Sequence, residues 1–138
     1  MSALLLRAAL LVLFLTLAPE AAFAQPKKKP IDGNQQYPNV VEVKVRQARD
    51  GKLFDFDVTL SSPYDTPARY ADAFRVGNGK GLTFGERVLL HDHQDEQPFT
   101  RDLYEVDIPP SVKEVVVQGR DQKNGYGGKT VTVKLPGR

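Results

Sequence analysis

From Val40 onward the apolar residues recur at every second position, and this period decides what the chain can become. Successive side chains of a strand point to opposite faces, so such alternation describes half-buried strands; a helix would need spacings of three and four. Val41, Val43 and Val45 alternate with Glu42, Lys44 and Arg46, and after the turn Asp50-Gly51, Phe54, Phe56, Val58 and Leu60 alternate with Asp55, Asp57 and Thr59. The loop SSPYDTPARY follows, then Phe74 and Val76 lead into the turn GNGKG and a strand from about Phe84 to His91. Thr100 to Ile108 carries Tyr104, Val106 and Ile108 against Glu105 and Asp107, and it stops at Pro109-Pro110, where ladder donors run out. Val115 to Asp121 forms a last hairpin with Val131, Val133 and Leu135 around the loop KNGYGG. No stretch has helical spacing. Seven short strands with turn signals between them predict an all-β fold, a seven-stranded antiparallel β-sandwich.

Ahead of that pattern, residues 1–24 have the three-part layout of a cleaved signal peptide: Arg7, an apolar run from Ala8 to Ala18, and a small-residue end at Ala22-Phe23-Ala24. Counted from Leu4 the apolar run reaches 15 residues before Pro19. A membrane-spanning helix needs roughly 20, so cleavage before Gln25 is expected, with no transmembrane segment afterwards and a periplasmic or secreted protein. Residues 25–38 contain Lys27-Lys28-Lys29 among prolines and polar residues, and they read as a flexible basic tail before a domain at 39–138.

The leader removes one arginine and one glutamate, so the net charge of +2 is unchanged and nucleic acid is not an expected partner. None of the 138 residues is a cysteine. Disulfides, thiolate metal sites and cysteine nucleophiles are thereby excluded from them, and the fold must rest on its core. Of the serines beyond the leader, Ser61, Ser62 and Ser111, none lies in a nucleophile elbow, and no nucleophile and base can be placed together for catalysis. Gly77, Gly79 and Gly81 match neither phosphate-loop spacing and read as a hairpin turn.

In its strand order and in its last hairpin, VVVQGRDQKNGYGGKTVTVKLP, the chain resembles the immunoglobulin-like and fibronectin-type-III β-sandwich superfamily. The resemblance is architectural and spans the domain. It implies immunoglobulin-like order but brings no activity with it. In that order the loops after the second, fourth and sixth strands emerge at one end, gathering SSPYDTPARY, HDHQDEQPF and KNGYGG, and leaving DG, GNGKG and PPS at the other.

The first of these ends holds the chemistry. His91 and His93, two apart on a strand, would point the same way, and Asp95 or Glu96 would supply an oxygen ligand for Zn²⁺ or Cu²⁺. The plainer reading is two polar rings among acidic neighbours. Tyr64, Asp65, Tyr126 and Gly127 are the expected ligand- or partner-contacting residues, with Gly125, Gly127 and Gly128 forming a wide loop. Arg101 and Arg120 are expected to pair with Asp102 or Asp121, or to clamp an anion. Two functions follow: an exported binding or accessory module presenting its loop-rich end to an envelope protein, or a small metal-binding protein centred on the histidines.

Overall fold

The computed structural model describes residues 34–48 and 50–138; the leader and Lys27-Lys28-Lys29 lie outside the described residues. Seven strands follow in order: β1 (Asn39–Gln47), β2 (Leu53–Ser61), β3 (Ala71–Gly77), β4 (Thr83–Val88), β5 (Phe99–Asp107), β6 (Glu114–Asp121) and β7 (Gly125–Lys134). All pairings are antiparallel. One sheet has the order β1-β2-β5 and the other β4-β3-β6-β7. The described residues contain no helix, and none long and apolar enough to cross a membrane.

The core lies where the alternation puts it. Phe54, Phe56, Val58 and Leu60 of β2 face Phe74 and Val76 of β3 and Val115 and Val117 of β6, all at 0 % exposure. Side chains of this kind each contribute on the order of 2 kcal/mol when fully buried, so the sandwich needs no covalent staple. In β1 the period slips: a bulge between Val40 and Glu42 turns Val40 inward and leaves Val41 half exposed. At one side the sheets are drawn together by an ion pair from Arg87 of β4 to Asp102 of β5, at 3.2 Å, and by Gly85, where a Cβ would press on Val106 and Leu103.

Three boundaries differ from the sequence reading. β4 ends at Val88, because after the Leu89 amide bonds to Asp72 O the chain leaves the sheet, so His91 and His93 sit in a loop. The glycines after Asn124 belong to β7: Gly127 pairs with Gly119, and only a short turn separates β6 from β7. Their smallness serves packing. A Cβ at Gly127 would strike the Tyr37 ring, and one at Gly119 would lie 2.6 Å from Pro38 Cγ. The same contacts move the start of the packed domain forward of Asn39, for Pro38 is fully buried and the Gln35 amide donates to Ser61 O at 2.8 Å. Tyr37 and Pro38 are the reason: their rings dock onto the glycine-lined surface of β6 and β7.

Candidate functional site

Loops 62–70 and 89–98 and the turn 122–124 converge at one end of the sandwich, tied there by two buried carboxylates. Asp65, 2 % exposed, accepts hydrogen bonds from the Ala71 amide at 3.0 Å and, across the loops, from the His93 amide at 3.1 Å. Asp121, 1 % exposed, accepts from Arg69 Nε at 3.1 Å and from the Lys123 and Asn124 amides, capping the β6–β7 turn in the way short acidic side chains do. Gln97 locks the arrangement further: its oxygen takes the Ser62 amide at 2.7 Å and its nitrogen donates to His93 O at 3.1 Å. Tyr70 donates to Leu90 O, and the Gln122 amide to Tyr70 O.

Tyr64 lies beneath Arg69, whose guanidinium is 4.6 Å from its ring centroid. Burial first, and then the nearby Asp121 charge, hold the Tyr64 phenol far above its usual range. The two imidazoles stand side by side, with ring centroids 4.6 Å apart. His93 is buried and stacked on Phe99 at 3.9 Å, and neither of its ring nitrogens has a hydrogen-bond partner among the described residues. His91 is exposed. Its Nδ1 lies 2.8 Å from the Asp92 carbonyl, and since a carbonyl only accepts, Nδ1 carries the proton and Nε2 the free lone pair.

The expected site residues are therefore only partly brought together. Tyr64, Asp65, His91 and His93 share this end, but Glu96 is engaged by Arg101 at 2.9 Å, and Asp95 is exposed beside it. Among the described residues no group of three or more histidine, aspartate and glutamate side chains is arranged to hold a metal ion. Tyr126 and Gly127 stand elsewhere. Tyr126 lies on the outer face of the four-stranded sheet, covered by Arg75 at 3.9 Å and donating to Glu86, with burial pushing its phenol up to about 12. Gly127 lies beneath Tyr37. The arginines also choose other partners: Arg120 pairs with Asp72 at 2.8 Å and Arg101 with Glu96, because both Asp102 and Asp121 are already taken.

Sequence reasoning missed Ser62, Arg69, Gln97 and the capping role of Asp121. Only the last had a legible signal, an aspartate directly before the turn Q-K-N-G.

The buried pair His93 and Asp65 makes stability depend on pH with opposite signs. Burial, aided by Arg101 and His91, lowers the His93 pKa below its ordinary 6.5. The native state thus prefers neutral His93, and stability is lost as pH falls below about 6.5. Burial raises the Asp65 pKa above 3.8 despite its hydrogen bonds, so its contribution grows as pH falls through that raised value. Near neutrality the histidine governs. Urea midpoints are expected to fall between about pH 7.5 and about pH 6 in the wild type, and to fall less in His93→Phe, which keeps the stack on Phe99. Equal slopes in both proteins would contradict this assignment.

No protein-family model and no solved structure matches the chain. Over 95 residues it is 40 % identical to a protein of Halomicrobium mukohataei named "Putative lipoprotein", a stretch that covers 69 % of this chain and 46 % of that protein. The chain thus spans about half the length of this relative.

Proposed function

We propose that this protein is an exported binding or accessory module, periplasmic or secreted, which presents the loop-rich end of its sandwich to an envelope protein. Three loops fixed to one another by Asp65, Asp121 and Gln97 carry the reading, because a pre-ordered surface loses little entropy on binding. The leader-like sequence of residues 1–24 and the lipoprotein name of the relative support export. The strand order β1-β2-β5 and β4-β3-β6-β7 supports the immunoglobulin-like or fibronectin-type-III-like character of the sandwich.

Leu90, 83 % exposed beside the histidines, is the apolar residue this end offers to a partner. The test is fractionation of cells making the full chain, followed by photo-cross-linking from position 90 and, as a control, from the exposed Thr132 on β7. The expected result is export, with a discrete cross-linked exported protein from position 90 alone. A cytoplasmic chain, or identical products from both positions, would sink the proposal.

A second reading, a Zn²⁺ or Cu²⁺ site at His91 and His93, is favoured by one observation: the His93 ring nitrogens are buried without partners next to the free Nε2 of His91. A carbonyl on the far nitrogen of His91 is the support that ligating histidines commonly have. Thermal unfolding of metal-stripped protein decides it. Metal at a hundred times its dissociation constant is expected to stabilise the native state by about 2.7 kcal/mol, and the effect should vanish in His91→Ala/His93→Ala. No rise in the wild type ends this reading and leaves the module reading intact.

A further inference from the structure

The outer face of the three-stranded sheet carries an arrangement that neither the core nor the loop-rich end uses. In β5, Val106 pairs with Phe54 and Leu103 with Phe56, so Tyr104 and Glu105 both fall opposite Asp55 in a bulge. Glu105 takes φ 57°, a left-handed conformation that costs a residue with a Cβ on the order of 1 kcal/mol or more, and Asp55 holds it there by accepting its amide at 2.9 Å. Tyr104 is left 54 % exposed. Its ring is nonetheless fixed: the Arg46 guanidinium lies 5.5 Å from the centroid and is anchored by Asp57 at 2.9 Å and Asp55 at 3.5 Å. The negative charge of Asp102 raises the pKa of the Tyr104 hydroxyl. An open groove of about 730 Å³ runs alongside, lined among others by Arg46, Gln47, Asp50, Leu53, Tyr104 and Glu105.

We propose that this groove binds a neutral oligosaccharide, with the Tyr104 ring as stacking platform and Arg46, Gln47 and Glu105 as a hydrogen-bonding rim. A pyranose has a face of C–H groups bordered by hydroxyls. An aromatic ring already held in place meets the first and long polar side chains meet the second, with little ordering left to be done on binding. The groove is of the size that small ligands occupy. Among the described residues that line it, Asp50, Asp55 and Glu105 outnumber Arg46, which disfavours an anionic glycan.

The experiment follows amide chemical shifts of the ¹⁵N-labelled protein during titration with cellotetraose, with chitotetraose and, separately, with tetralysine, which would exploit the same carboxylates through charge alone. At least one of the two saccharides is expected to shift the amides of Arg46, Tyr104 and Glu105. Tyr104→Ala should weaken that binding about tenfold or more and Tyr104→Trp should retain it, both variants keeping the wild-type unfolding midpoint. No shift with either saccharide at tens of millimolar, saccharide shifts that survive in Tyr104→Ala, or binding of tetralysine alone would overturn the proposal.

Discussion

The Asp121→Ala protein is expected to unfold at a midpoint about 15 °C below the wild type, a loss on the order of 3 kcal/mol in a domain of this size. The Asp121 side chain has 0 % exposure and satisfies Arg69 together with two turn amides. Alanine leaves the Lys123 and Asn124 amides without their acceptor, and Arg69 keeps only its bond to Gln36 O and its place over Tyr64. Breaking a fully buried ion pair costs about 3–5 kcal/mol; the lower figure applies because the Arg69 side chain is a third exposed and water screens its charge. Asp121→Asn should recover about half of the loss, since an amide oxygen still caps the turn. Differential scanning calorimetry checks both values, and a shift of less than about 2 °C in Asp121→Ala would remove Asp121 from the account.

Asp65→Ala is the second large effect, at about 2–3 kcal/mol, because it strands the buried amides of Ala71 and His93. The structural consequence differs from that of Asp121→Ala. Asp65 is the acceptor that joins loop 62–70 to loop 89–98, so its loss should release the His93 stack as well as lower stability. Asp65→Asn is expected to be milder, because burial already disfavours the charged carboxylate at this position. Urea denaturation gives the magnitude, and the ring-proton shifts of His93 report whether the stack on Phe99 persists. An Asp65→Ala protein as stable as the wild type would mean that Gln97 and Tyr70 suffice to hold the two loops.

The seven strands were legible because each half-buried strand must alternate, and Phe54 to Leu60 does so without interruption. The bulge at Val40 was not legible, since a single inserted residue shifts the inward face without disturbing the alternation around it. The extent of β7 was hidden for a related reason: glycines signal a loop by their conformational freedom, whereas Gly127 is a strand residue whose missing side chain makes room for Tyr37. Of the candidate site, the meeting of Tyr64, Asp65, His91 and His93 follows from which loops share an end. The roles inside it depend on tertiary burial, which no local pattern encodes. Asp65 and His93 looked like surface polar residues and are internal, while Tyr126 belongs to a sheet face because its strand begins one residue before it.

The loop-rich end is a rigid platform rather than three independent loops, tied together through Asp65, Asp121 and Gln97. Amide hydrogen exchange of the native protein tests it directly, read at Ala71, His93, Lys123 and Asn124, whose bonds run to Asp65 and Asp121. The structure predicts protection at all four approaching that of the β2 and β6 amides, and its loss at Ala71 and His93 alone in Asp65→Ala. Exchange at the rate of solvent-exposed loop amides in the wild type would contradict the platform, and with it the binding surface proposed for this end.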